Sequence, residues 1–174
     1  MTEDQLFLHY EKIYFHESQR KEQIFARLSI PLAVMVALVG FYAVIIATEY
    51  KRLESVGAFI FGFASSCSVG LLIIGACFFT DALLGKMDQA LSTPNSLEGW
   101  RRELQDYYAD QSDAEQLVAD TVRSALYADY MNCGSLITIN NDRKTSSLYY
   151  CNMALIFATA TALVAYAFAK FPSL

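Results

Sequence analysis

An uncharged run of 24 residues, from Val56 to Phe79, constrains the fold of this chain more than any other feature. At about 1.5 Å of rise per residue, a helix of this length crosses a hydrocarbon core that is ~30 Å thick. Two further apolar blocks, residues 29–48 and 148–169, are long enough to do the same. The sequence therefore predicts an all-α, polytopic membrane protein with three transmembrane helices.

Small residues recur at every fourth position along the uncharged run. Ala58, Gly62, Ser66 and Gly70 form a stripe along one side of a helix. Such a stripe lets a second helix approach closely, which is the usual basis of helix association in lipid. The second span is therefore predicted to be the packing centre. Serines and glycines could also line a narrow aqueous path between several copies, so the stripe has two interpretations, helix packing and pore lining.

The chain before the second span divides into an amphipathic helix and a hairpin. Residues 1–28 are predicted to form a helix capped by Thr2. Its polar face is mixed in sign, which favours packing on other helices over a position at the membrane interface. The eight residues from Glu49 to Val56 allow only a tight connection, so residues 29–48 and 56–79 are predicted to form an antiparallel pair.

Residues 81–147 are predicted to form a polar helical segment. The second helix is expected to continue to a break at residues 92–95, and a new helix to begin near Ser96. Ser112 and Glu115 form a capping box before the next apolar run. The pattern leaves open whether residues 113–169 are one helix, because the polar collar before the third span fits either a turn or a helix. The collar comprises Asn140, Asn141, Arg143 and Lys144.

Basic residues predict the orientation in the membrane. Three spans place the N-terminal helix and the 81–147 segment on the same side, and these regions hold ten of the 13 Lys and Arg residues. Because cytoplasmic loops are enriched in Lys and Arg, the N-terminus and the middle segment are predicted to be cytoplasmic and the C-terminus external.

The sequence contains no motif of catalysis or of metal binding. His9 and His16 share a helix face, but no third ligand stands at zinc spacing, and neither a nucleophile elbow nor a phosphate loop occurs. The four cysteines are interpreted as small apolar fillers. A net charge of −5 disfavours nucleic acid as a partner, and spans without ionisable residues disfavour a proton-coupled carrier. We therefore expect no enzyme activity, no metal and no cofactor.

Two segments resemble the SLATT-type membrane proteins of prokaryotes. They are YEKIYFHESQRKEQIFARLSIPLAV, which feeds a tight hairpin, and the collar sequence INNDRK at Ile139–Lys144. The resemblance implies a small protein of the bacterial inner membrane that forms pores or disrupts the bilayer in nucleotide-signalled, anti-phage defence. It implies no catalytic or ligand-binding residue in this chain.

These observations lead to two main hypotheses. In the first, the protein is a homo-oligomeric effector that permeabilises or depolarises the lipid bilayer when a protein or a nucleotide signal triggers its cytoplasmic helices. In the alternative, it is a non-conducting anchor or regulatory subunit that binds a protein partner through those helices. A third hypothesis, a membrane-embedded enzyme, would gain support if Asn152 and the cluster of Asn140, Asn141 and Arg143 lined one polar cavity at the interface.

Overall fold

The computed structural model describes residues 2–47, 55–84 and 90–170, and most of these residues are helical. Three helical stretches are long and apolar enough to cross a membrane, which agrees with the predicted all-α class. The predicted connection that starts at Glu49 lies almost entirely outside the described residues. The helices are α1 (Glu3–Arg27), α2 (Ser29–Ala47), α3 (Ser55–Leu84), α4 (Pro94–Tyr107) and α5 (Ala114–Lys170).

Local hydrogen bonds explain where α1 and α2 begin. The Thr2 hydroxyl accepts a hydrogen bond from the backbone amide of Gln5 at 3.3 Å. The backbone amide of Thr2 donates to the side-chain oxygen of Gln5 at 3.0 Å. This reciprocal pair is a capping box, and it confirms the predicted cap. Only Leu28 separates α1 from α2. Pro31 therefore lies in the first turn of α2, where its missing N–H costs little.

The middle of the chain differs from the prediction at two boundaries. Residues 90–93 are not helical, so the expected extension of α3 to residue 92 is wrong. Helix α4 begins at Pro94 and not near Ser96, because the Thr93 hydroxyl caps it and a proline at the first helical position is already preorganised. Helix α5 is one continuous helix of 57 residues, so the collar is helical and not a turn.

The chain forms two compact units, and α1 and α5 contribute to both. The first unit comprises Met1–Glu22 and Lys86–Asn141, and the second comprises Gln23–Gly85 and Asp142–Leu174.

In the first unit, α1 packs in parallel on α5 through aromatic side chains. Phe7 lies 5.7 Å from Tyr130, and Tyr10 lies 5.3 Å from Tyr127, measured between ring centroids. Gly134 of α5 is buried, and a methyl group at this position would lie 3.9 Å from the Tyr14 Cβ. The N-terminal helix therefore packs on another helix of the chain, as its mixed polar face predicts.

In the second unit, α2 runs parallel to the end of α5 and α3 runs antiparallel to it. The Ser68 hydroxyl of α3 donates to the Ala158 carbonyl at 2.6 Å. The buried core beside this bond is mainly a row of small and aliphatic residues on α5, which pack against Leu38. These residues are Cys151, Leu155, Ala158 and Ala162. The third span therefore carries the packing centre, and the prediction that the second span does so is wrong for the single chain.

Substitution of Ala158 tests this packing. Ala158 has no exposed surface, so Ala158→Leu should overpack the core and lower the free energy of unfolding by about 1–3 kcal/mol. The exposed Ala160, two residues away on the same helix, is the matched control. Titration with SDS in mixed micelles measures the difference. Equal stability of Ala158→Leu and Ala160→Leu would contradict the assignment of α5 as the packing centre.

Candidate functional site

The predicted stripe of α3 lies on the outer surface of the second unit. Ala58, Gly62 and Ser66 are exposed and Gly70 is half-buried. A methyl group built on Gly62 or Gly70 meets no side chain or neighbouring helix of the described chain within 4 Å. The stripe is therefore an open face. A helix of another molecule, or lipid, can pack against it.

A different face of α3 makes the contacts within the chain. Ala64 and Ser68 are buried, and a methyl group on Gly75 would come within 3.3 Å of the Leu155 side chain. Helix α3 thus has two faces of small residues, and within the described residues the second face makes the close contacts to α5. Because the centre of the bundle is filled by close-packed side chains, an aqueous path along the stripe requires more than one copy.

A groove between α2 and α5 contains the position of Asn152. It has a volume of about 640 Å³ and an almost entirely apolar lining that includes Val34, Leu155 and Leu163. The hydroxyl of Thr159, which also lines the groove, donates to the Leu155 carbonyl at 2.8 Å. Asn152 therefore faces an apolar groove and not the polar cavity that would support the embedded-enzyme hypothesis.

The first half of the collar belongs to the first unit. Asn141 is only 1% exposed, and its Nδ2 donates to the Glu17 carbonyl at 2.8 Å and to Glu17 Oε2 at 3.0 Å. Glu17 is itself buried, and Arg20 donates to the same carboxylate oxygen at 3.3 Å. Asn140, the preceding collar residue, is half-buried. Asn141 is therefore a structural contact between α1 and α5.

The second half of the collar belongs to the second unit, near the start of its apolar helices. Arg143 forms an ion pair with Asp81 Oδ1 at 3.0 Å, and the Ser147 hydroxyl donates to Asp81 Oδ2 at 2.5 Å. Lys144 is buried, and its Nζ lies 4.5 Å from the centroid of the Phe25 ring. Successive side chains of a helix point in different directions, so Asn141 contacts Glu17 within the first unit and Arg143 contacts Asp81 within the second.

Several polar residues at these contacts were not identified from the sequence as site residues. Glu17 carries a weak signal, because it continues the three- and four-residue spacing of Tyr10 and Tyr14 on α1. Asp81 is the first charge after the uncharged run of α3. The sequence does not show which residue contacts either of these positions. Glu17 and Asn141, for example, are 124 residues apart.

The remaining candidates for chemistry are dispersed. His9 and His16 are both exposed, and within the described ranges no group of three or more His, Cys, Asp and Glu side chains could hold a metal ion. All four cysteines are free thiols.

Helix α4 carries a cluster of opposite charges on its surface. Arg101 donates to both carboxylate oxygens of Glu98, at 2.7 and 2.8 Å, and Arg102 donates to one of them at 3.2 Å. These bonds, above all those from Arg101, favour the ionised carboxylate and lower the pKa of Glu98 from 4.5 to about 2. All three side chains are substantially exposed, so solvent and salt screen the interaction.

Comparisons of the chain with known protein families, with curated proteins and with solved structures find no match.

The bond between Ser147 and Asp81 can be tested by deletion. Ser147→Ala removes a donor to a charged group and should lower the free energy of unfolding by about 1–3 kcal/mol. The neighbouring Ser146 is exposed, so Ser146→Ala should be close to neutral. SDS titration of both variants makes the comparison. A neutral Ser147→Ala would show that Asp81 is held by Arg143 alone.

The charges of α4 predict a pH dependence. Because the pKa of Glu98 is lowered on folding, its contribution to stability is complete above pH 4.5 and is lost as the pH falls through about 2. A carbon-13 NMR titration of the Glu98 carboxyl group should give this pKa, and Arg101→Gln should raise it. An unchanged pKa in Arg101→Gln would contradict the assignment of Arg101 as its principal cause.

Proposed function

We propose that this protein is a small membrane effector that assembles from several copies through the α3 stripe and then permeabilises or depolarises the bilayer. The observation that supports assembly is the face formed by Ala58, Gly62, Ser66 and Gly70, which is largely open among the residues that the structure describes. Association of helices in lipid depends on such close approach of backbones. The resemblance to SLATT-type proteins supports a site of action in the bacterial inner membrane and a role in anti-phage defence.

The continuity of the helices supports a triggered mechanism. Helix α5 is unbroken from Ala114 to Lys170, so its first half belongs to the predicted cytoplasmic region and its second half to the predicted third span. Helix α1 likewise ends one residue before α2 begins. The first unit, on which a protein or nucleotide signal would act, is therefore joined covalently to the apolar helices.

The proposal is tested by filling the stripe without disturbing the fold of the single chain. The double variant Gly62→Leu/Gly70→Leu places bulky side chains in open space, so the monomer should fold normally. Gly40 of α2 is also open, and Gly40→Leu is the matched control. The membrane potential of a bacterial host is followed with a voltage-sensitive dye during induction of each full-length chain, and cross-linking in membranes measures the number of copies.

The expected result is that the parent chain and Gly40→Leu form oligomers and depolarise the host, whereas the stripe variant does neither. Loss of activity with an unchanged oligomer would contradict assembly through the stripe. Unchanged oligomers and unchanged depolarisation in the stripe variant would exclude the proposal altogether.

An apolar surface on the first unit favours a second candidate function, a membrane anchor that binds a protein partner. Several large apolar side chains there are exposed, and exposed apolar surface is a common feature of interaction sites. A purified chain that stays monomeric and leaves the host polarised, but retains a partner through this surface, would support the alternative. The exposed residues are Leu8, Phe15, Met131, Leu136 and Ile139.

A further inference from the structure

Much of the contact between α1 and α5 in the first unit is made by groups that water can solvate, beside the apolar Phe7 and Ile13. Tyr10 packs on Tyr127, and Tyr14 packs on Tyr130 with 5.7 Å between ring centroids. Each of these rings carries a hydroxyl group that water can hydrate when the helices separate, so separation costs less than it would for aliphatic side chains of similar size. The ion pair between Asp4 and Arg123 lies at the exposed end of the same contact, where solvent weakens it.

Two buried members of this contact are polar, beside the buried Cys133 and Ile137 in the same half of α5. Asn141 donates two hydrogen bonds to Glu17, one to its carbonyl and one to its carboxylate, at 2.8 and 3.0 Å. A paired amide and carboxylate exchange their mutual bonds for bonds to water when the helices separate, so their net contribution to closure is small. Two apolar side chains of similar volume would hold the helices together more strongly.

The core of the second unit is mainly aliphatic, with Ser68, Lys144 and Ser147 as its buried polar residues among those that the structure describes. There Leu28 packs with Leu148 and Ala82, and Leu38 packs among Leu155 and small residues of α5. Aliphatic side chains gain no hydrogen bonds to water when the helices separate. Water can therefore replace the contact made by the first half of α5 more readily than the contact made by its second half.

We infer that the pairing of α1 with α5 in the first unit is a releasable latch, closed by the Glu17–Asn141 pair. When the latch opens, residues 3–22 leave α5 while the second unit stays packed. The amide and the carboxylate open together, because separation of only one would leave the other buried without its partner. The latch itself does not depend on the proposed function. Its role as the trigger of depolarisation does.

Hydrogen exchange on the full-length chain in lipid nanodiscs tests the latch. The double variant Glu17→Leu/Asn141→Leu replaces both polar groups at once, so neither is left unpaired. Amide exchange in residues 3–22 should slow by about tenfold or more in this variant, because the opening becomes less favourable. The exposed Asn132 lies on the same helix, and Asn132→Leu is the control for an added leucine.

Unchanged exchange in the double variant, with helix content preserved by circular dichroism, would overturn the latch. The single variant Asn141→Leu gives an independent check, since it leaves the Glu17 carboxylate without its amide partner. It should speed exchange in residues 3–22 by about fivefold or more. Slower exchange in the single variant would also overturn the inference.

A disulfide then tests the role of the latch as a trigger. The Cβ of a residue at position 134 would lie 3.9 Å from the Tyr14 Cβ, which is within disulfide range. Tyr14→Cys/Gly134→Cys, in a chain that also carries Cys133→Ala, should be inactive in the dye assay when oxidised and active after reduction. The chain with only Cys133→Ala should respond in both states.

The two proposals fail in different ways. Depolarisation that is equal in the oxidised and reduced states would overturn the trigger role while leaving the pore proposal intact. A parent chain that never depolarises the host would remove the proposed function, and hydrogen exchange alone would then decide whether the latch exists.

Discussion

Close packing on the small residues of α5 is the contact on which the rest of the structure depends. Cys151, Ala158 and Ala162 have no exposed surface, and the bond from Ser68 to the Ala158 carbonyl requires the helices to lie very near each other. Small side chains permit this approach because they keep the backbones unobstructed. The filled centre that results leaves the α3 stripe outside the single chain, which is the physical basis for proposing assembly.

The two units place their polar groups differently. In the second unit, Asp81, Arg143 and Ser147 satisfy one another where the uncharged part of α3 ends. This position avoids the large cost of placing an unpaired charge within hydrocarbon. In the first unit, Glu17 and Asn141 are buried inside a helix contact, where polar pairs give specificity of pairing more readily than stability. The latch and the proposed trigger both follow from this difference.

Sequence reasoning worked where the signal is local. Thr2 and Gln5 are three residues apart, and the cap needs only their own side chains and backbone amides. The apolar helices are recognisable because length and absence of charge suffice to define them. Sequence reasoning was less accurate at residues 90–93 and at Pro94, where α4 begins two residues earlier than expected because Thr93 caps it. Helix boundaries depend on single hydrogen bonds that composition does not determine.

The sequence by itself determined the helical class, the three apolar helices and the spacing of small residues, because each depends on neighbours within one or two turns. Only the tertiary structure decided which small-residue face of α3 packs inside the chain and which stays open. It also decided that Glu17 pairs with Asn141, and Ser147 with Asp81, across 124 and 66 residues of chain. Faces and partners of this kind depend on how separate helices pack, and a periodic pattern along one helix does not contain that information.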